Sequence, residues 1–241
     1  MTKFRRRELD PTNSEMLAAW MPITCGRLYS AYRRLWADPD VGTAIPDFLI
    51  LMHQIVRASV PLMTVAHAVA VERAKRDGVS QQVVSYLATH IVEERNHDEW
   101  LLQDLETAGI SREAVLGRTP SAHVAALVGA QYYWIHHHDP VALLGYIRLL
   151  EGNPPSGAHI ERLQKQSRLP LSLFRTYRMH GELDPHHLEE LDSFLDSLPL
   201  TEPQAGLICT SLSHTAHALA DCIEEVTLSL HRRTRVSKAE A

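Results

Sequence analysis

The segment DPVALLGYIRLLEGNPP, residues 139–155, decides the class of fold. Its apolar side chains recur at intervals of three and four residues, which is the period of an α-helix. Pro140 suits the first helical position because it has no N–H to leave unpaired, and the GNPP run at 152–155 ends the helix. We expect so apolar a helix to lie in the core of a helical protein, with Glu151 as its last residue.

The same spacing runs through the rest of the chain, and no long segment alternates with the period of two that a strand requires. We therefore predict an all-α fold in which a single helical domain spans residues 1–241, with a frayed tail at about 234–241. Pro61 is predicted to bend one long helix. Thr201 and Gln204 form a capping-box pattern at the start of the last helix. The predicted helices span residues 15–36, 47–76, 80–108, 121–137, 140–151, 169–180, 185–198 and 201–232.

Composition limits the partners and the compartment. The formal net charge is -5, so neither nucleic acid nor an anionic membrane is an expected partner. Cys25, Cys209 and Cys222 form no C-x-x-C pair and no disulfide framework, which favours a reducing cytoplasm. No apolar export signal follows the arginines at 5–7, and the most apolar stretch, residues 58–71, is too short and polar to span a membrane. We expect a cytoplasmic protein, and a homodimer is compatible with the sequence.

A first metal-binding pattern lies in the segment EERNHDEW, residues 93–100. Glu94 and His97 are three residues apart, so on a helix their side chains share one face, with roughly 5–6 Å between the Cβ atoms. A carboxylate and an imidazole placed in this way can bind one cation. The alternative is a solvated charged face, because residues of these types are mostly exposed.

A second pattern is the segment HGELDPHH, which begins at His180. His180, Asp184 and His187 would lie on one stripe of a helix, and two imidazoles with a carboxylate suit iron, manganese or zinc. The alternative is a polar helix start with Asp184 as the N-cap and Pro185 at the first helical position. Pro185 would also clash with the carbonyl four residues earlier in a regular helix. We therefore expect a break at Asp184–Pro185 when no metal is bound.

Glu151 supplies the third element. Ile147 and Leu144 share its helix face, and a carboxylate beside such an apolar stripe must pair, bind a metal or stay neutral. The alternative is that Glu151 is simply exposed as the last helical residue. Ferritin-type bundles use two E-x-x-H motifs, whereas this chain combines one with a His-x3-Asp-x2-His run. Three carboxylates and three histidines make a balanced ligand set for two divalent ions: Glu94, His97, Glu151, His180, Asp184 and His187.

These motifs resemble those of the haem-oxygenase-like di-iron oxidases and oxygenases. The matching pieces are residues 94–100, Glu151 with Gly152, and Met179-His180 followed by Asp184 and His187, and the resemblance covers about residues 50 to 200. It implies a haem-oxygenase-like helical bundle whose six ligand positions hold two Fe(II) ions, or one manganese and one iron. Dioxygen would be the cosubstrate, and the oxidant formed from it would remove hydrogen from the substrate or transfer oxygen to it.

The resemblance also implies a class of reaction. The family includes amino-acid N-oxygenases, enzymes that fragment amino-acid side chains and a fatty-acid decarboxylase that forms terminal alkenes. We expect an O2-dependent non-haem di-iron oxidoreductase that acts on a small amino-acid-derived substrate by N-oxygenation or oxidative C–C cleavage, in natural-product biosynthesis. The alternatives are fatty-acid oxidative decarboxylation, a metal-free cofactor-synthesis oxidase of the same fold, and a non-catalytic metal-binding bundle. Haem binding is disfavoured, because a haem oxygenase needs an axial histidine on an early helix. The first histidine here, His53, follows the first predicted helix.

Two residues outside the ligand set are further candidates. His90 lies one turn before Glu94 on the same predicted helix face, so it could hold a ligand in place or act as a spare ligand. The alternative for His90 is a core histidine whose hydrogen bonds are satisfied. Arg57 shares a helix face with His53 and could hold a substrate carboxylate.

Overall fold

This computed structural model describes residues 11–152 and 154–239, which contain eleven α-helices and two short 3-10 turns. No strand occurs in that part of the chain, so the predicted all-α class is confirmed. The 3-10 turns are Pro140–Ala142 and Leu171–Phe174. The helices are α1 (Asn13–Thr24), α2 (Gly26–Ala37), α3 (Val41–Ala74), α4 (Gly78–Glu93), α5 (His97–Thr107), α6 (Arg112–Leu116), α7 (Ala122–His137), α8 (Leu143–Glu151), α9 (Gly157–Ser167), α10 (Arg175–Ser197) and α11 (Glu202–Ala239).

The two longest helices, α3 and α11, form the centre of the bundle. Helix α11 packs against α2, α7 and α8, while α3 packs against α4, α5 and α7. Helices α8 and α11 approach so closely at Gly145 that a Cβ there would overlap the carbonyl oxygen of Ile208. The buried apolar side chains form one connected cluster, which fits the predicted single domain.

Helix α3 is long and apolar enough to cross a membrane by length and composition alone. Half of its most apolar window is buried among the other helices, and core helices pass the same test. It begins at Val41, before its predicted start, and continues as one helix through Pro46 and Pro61.

Several other helix bounds differ from the prediction. Helices α1 and α2 replace one predicted helix, because the chain turns at Cys25. The helix predicted over 80–108 is likewise divided, since α4 ends at Glu93 and α5 begins at His97. Between them Asn96 adopts a left-handed conformation with φ of 71°, which asparagine tolerates better than most residues. Helices α6 and α9 were not predicted.

The last helix opens with the predicted capping box. The N–H of Gln204 donates to Thr201 Oγ1 (3.4 Å), and the N–H of Thr201 donates to Gln204 Oε1 (3.1 Å). The helix continues to Ala239, so the segment expected to be a frayed tail is helical as far as the structure describes it.

Helix α10 is the main departure from the predicted bounds. It is one helix, whereas two were expected with a break at Asp184–Pro185, and it runs through Pro185. A proline inside a helix costs about 3 kcal/mol. Contacts with the rest of the bundle must offset that cost.

Two ion pairs anchor α10 on either side of Pro185. Near its start, Arg175 Nε lies 3.0 Å from Asp104 Oδ1 on α5, and the N–H of Thr176 donates to Asp104 Oδ2 (2.7 Å). Towards its end, Asp192 Oδ1 lies 2.7 Å from the Nε of the buried Arg148 on α8. These contacts join α10 to the two helices that carry His97 and Glu151.

Candidate metal centre

The six predicted ligands lie on four segments that meet inside the bundle. Glu94 follows the end of α4, His97 begins α5 and Glu151 ends α8. The remaining three, His180, Asp184 and His187, lie along α10.

Glu94 and His97 face each other across the break between α4 and α5. The sequence predicted that both lie on one continuous helix, but the left-handed turn at Asn96 divides it. The turn nevertheless buries both side chains and leaves Glu94 Oε2 3.1 Å from His97 Nδ1.

Short distances connect the other predicted ligands to this pair. His187 Nδ1 lies 3.8 Å from Glu94 Oε1. The rings of His97 and His180 have centroids 5.0 Å apart, and His180 Nδ1 lies 2.8 Å from Asp184 Oδ1. The structure therefore brings side chains from α4, α5 and α10 together.

Glu151 joins this group through His90. His90 Nε2 lies 2.8 Å from Glu151 Oε1, and ligand atoms of His90, Glu94 and Glu151 all lie within 4.8 Å of one another. Glu151 is thus not a solvated helix end, since its side chain is only 12% exposed.

Unpartnered polar atoms distinguish this cluster from an ordinary buried salt-bridge network. A buried polar atom without a partner typically costs about 1–3 kcal/mol, so a group of them at one place needs an explanation. Carboxylate oxygens and imidazole nitrogens are suitable ligands for iron, manganese and zinc. Divalent ions bound here would therefore satisfy the free atoms. Within the described residues, four of the six predicted ligands each have one such atom: Glu94 Oε1, Glu151 Oε2, His180 Nε2 and His187 Nδ1.

Opposite effects set the protonation of the cluster. Burial raises the pKa of Glu151. Burial acts on Glu94 in the same direction, but the adjacent His97 outweighs it and the pKa of Glu94 is lowered. Burial alone would lower the pKa of His90, but the hydrogen bond and charge of Glu151 outweigh it and raise the pKa of His90 to about 9. His90 thus holds a proton that offsets carboxylate charge in the metal-free protein.

A cavity of about 420 Å³ borders the cluster. Most of its wall is apolar or aromatic, with the polar cluster on one side. Its exposed wall residues are Tyr29 on α2 and Ser156 after α8, so the mouth lies between α2 and the 154–156 loop. No Lys or Arg occurs among the described residues that line it. The lining includes Leu28, Tyr32, Trp36, Leu49, Met52, Ile55, Val56, Met63, Tyr146, Ile147, Tyr177, His90, Glu94, Glu151, His180 and Asp184.

The structure does not support the role expected for Arg57. Arg57 is half-buried and is not among the residues that line the cavity. His53, on the same helix face, is 1% exposed and also lies outside the lining. The wall of the cavity is formed by other residues of α3, including Met52 and Val56.

Sequence reasoning missed the residues that support the ligands. The ring of Trp100 stacks on His97 with centroids 4.1 Å apart, and Tyr86 stacks on His90 at 5.3 Å. Tyr86 and His90 are four residues apart on α4, so helical spacing could have suggested their contact. The role of Asp104, which holds the start of α10 from α5, follows from a contact between distant segments and has no local signal.

Comparison with known proteins points to one family. Residues 47–220 match a haem-oxygenase family whose members are described as iron-containing redox enzymes. No curated protein matches the sequence.

Two solved structures are similar over nearly the whole chain. One is a domain of unknown function with a heme oxygenase-like fold from Shewanella denitrificans OS217. Its TM-score is 0.70 at 15% identity, with 95% of this chain and 93% of that chain covered. The other is a TenA homolog from Pseudomonas syringae pv. tomato DC3000. Its TM-score is 0.67 at 13% identity, with 94% of this chain and all of that chain covered. At these identities the likeness establishes the haem-oxygenase-like fold alone.

Proposed function

This chain belongs to that family of iron-containing redox enzymes, and on that premise we propose that it is an O2-dependent oxidoreductase with a dinuclear non-haem iron centre. The ligands are the six residues of the cluster: Glu94, His97, Glu151, His180, Asp184 and His187. A manganese ion can replace one iron, because the same carboxylate and imidazole groups suit both metals.

The four unpartnered buried atoms carry this proposal. They lie after α4 and on α8 and α10, but the side chains that bear them belong to one cluster, so metal binding would satisfy them together. Three carboxylates offset most of the charge of two divalent ions. A cluster of three imidazoles and three carboxylates offers more donors than the four that a tetrahedral single-metal site requires.

Iron bound here would supply the redox chemistry that activates dioxygen. The chain itself contributes position and environment. Arg148 and Asp104 fix α10 against α8 and α5, so the ligands on these helices are held before metal binds. The apolar wall of the cavity excludes water from the reacting groups and strengthens electrostatic interactions inside it. A substrate that enters past Tyr29 would place its metal-binding group at the cluster, because the described wall has carboxylates only there and elsewhere offers partners such as Ser59, Tyr146 and His159.

The cavity favours one of the two substrate classes expected from the sequence. A free amino acid carries an ammonium and a carboxylate, and burying both charges requires partners for both. The described lining has carboxylates only at the cluster and no Lys or Arg. We therefore propose a substrate with an apolar body and a single acidic head group, as in fatty-acid oxidative decarboxylation, in preference to a free amino acid. The volume of about 420 Å³ lies within the usual range for small-molecule sites, about 300–1,000 Å³.

Anaerobic loading with ferrous iron tests this function. We expect two iron ions per chain by metal analysis and a dinuclear signal in Mössbauer spectra. Oxygen consumption should accelerate when apolar carboxylic acids are added, and less with free amino acids. Oxygen consumption that is equal with and without iron would favour the metal-free oxidase, and no metal uptake would reject the proposal.

A further inference from the structure

We infer that His90 is a positioning residue, which holds Oε1 of Glu151 by a hydrogen bond and leaves Oε2 as the metal-binding atom. This inference rests on the proposed dinuclear centre and adds a seventh residue to it, outside the ligand set. His90 is 3% exposed, and its Nε2 lies 2.8 Å from Glu151 Oε1. Glu151 Oε2 is buried and has no partner among the described residues.

Distance alone would also allow His90 to be a ligand, because its ligand atom lies within 4.8 Å of those of Glu94 and Glu151. The partners of its two ring nitrogens argue against that role. Nε2 lies against Glu151, and Nδ1 lies 3.3 Å from Glu93 Oε2, so both ring nitrogens have carboxylate partners.

Two histidines of the cluster differ from His90 in this respect. His180 and His187 each have a buried ring nitrogen without a partner, whereas Nδ1 of His97 lies 3.1 Å from Glu94 Oε2. The unpartnered nitrogens of His180 and His187 can bind metal without breaking a hydrogen bond. His90 would first have to release a carboxylate, which itself belongs to the ligand set.

Stacked rings fix the orientation of His90. Tyr86 stacks on it with centroids 5.3 Å apart, and Phe194 from α10 stacks on Tyr86 at 4.4 Å. The ring of His187 meets His90 edge-on at 5.6 Å. A ring held in this way directs its N–H groups to fixed points, which suits a residue that orients a ligand.

Two substitutions separate a positioning residue from a ligand. His90→Gln keeps an N–H that can donate to Glu151, whereas His90→Phe keeps a ring to stack on Tyr86 but has no donor. The matched control is His186→Phe on α10, whose side chain is 72% exposed. His97→Phe serves as the reference for loss of a ligand.

Cobalt(II) titration of the full chain provides the readout, with bound metal counted by elemental analysis and coordination followed by visible absorption. We expect His90→Phe to keep two ions but to bind them about 10–100-fold more weakly, as for other residues that orient metal ligands. Its absorption bands should change, because either oxygen of Glu151 becomes free to bind. His90→Gln should keep the wild-type bands and lose less than about tenfold in affinity. The control should match the wild type.

Three results would overturn the inference. Loss of one ion in His90→Gln, as expected for His97→Phe, would show that His90 is a ligand. Wild-type affinity and bands in His90→Phe would show that its hydrogen bond positions nothing. A wild type that takes up no cobalt, iron or manganese would overturn the proposed function, and the inference with it. If His90→Phe does not fold, the bands and stoichiometry of His90→Gln still decide between ligand and positioning residue.

Discussion

Replacing Asp104 should loosen the helix that carries three of the six proposed ligands. Asp104 is 1% exposed on α5, accepts the N–H of Thr176 at the start of α10 and pairs with Arg175. In Asp104→Ala the N–H of Thr176 loses its acceptor, which costs about 1–2 kcal/mol for a comparable helix cap. Because Arg175 is 45% exposed, the ion pair adds at most about 1 kcal/mol.

The expected loss is therefore about 2 kcal/mol, which corresponds to roughly 4–8 °C in Tm for a chain of this size. Asp104→Asn keeps an oxygen that can accept from Thr176. Burial raises the pKa of the Asp104 carboxyl, so the site tolerates a neutral acceptor. We expect Asp104→Asn to lose less than half as much as Asp104→Ala. Glu106→Ala, an exposed change on the same helix, should stay within about 0.5 kcal/mol of the wild type.

Urea unfolding of the metal-free proteins, followed by circular dichroism, measures these differences. Repeating it with ferrous iron at 100 times the Kd should add about 2.7 kcal/mol for each ion bound, in every variant that still binds iron. Equal destabilisation by Asp104→Asn and Asp104→Ala would refute the reasoning, because the charge and not the hydrogen-bond acceptor would then matter. A loss below about 0.5 kcal/mol for Asp104→Ala would show that other contacts hold the start of α10.

Three further predictions concern the ligands, the cavity and pH. His97→Ala and His187→Ala should each abolish O2-dependent turnover while the helical circular dichroism stays largely intact; near-normal turnover would remove that histidine from the site. Gly181→Ala should displace the 154–156 loop, because a Cβ there would overlap a loop carbonyl, and should raise KM, whereas Gly157→Ala meets nothing within 4 Å and should not. The pKa of His90 is raised from 6.5 to about 9, so protonated His90 stabilises the metal-free fold. This stabilisation is complete below pH 6.5 and is lost as the pH rises through 9. The urea midpoint should fall over that range, and a midpoint that rises would contradict this sign.

The fold class and the ligand spacing could be read from the sequence because both depend on local periodicity. Apolar residues at helical intervals predict helices wherever they occur, and His180, Asp184 and His187 fall on one stripe of any helix that contains them. Such patterns lie within one segment and do not depend on which other segment packs against it.

The features that were missed depend on contacts between distant segments. Helix α10 continues through Pro185 and is held on either side by Arg148 and Asp104, which are far away in the sequence. The turn at Asn96 divides a run whose local pattern is helical. The partners of His90 likewise come from both α4 and α8, so spacing could nominate this residue but could not assign its role.

Because α10 is continuous, it fixes the spacing of three proposed metal ligands. His180 and His187 are seven residues apart, which is about 10.5 Å along a helix axis and only about 20° short of two full turns. On that face the two histidines flank Asp184, so each could bind a different ion of the proposed centre. The same geometry makes the site intolerant of changes in length, because one inserted residue between His180 and Asp184 would rotate one relative to the other by about 100°. Substitutions in this segment would alter the chemistry of single ligands, whereas a one-residue insertion would turn His180 away from the face that carries Asp184 and His187 while leaving every ligand in the sequence.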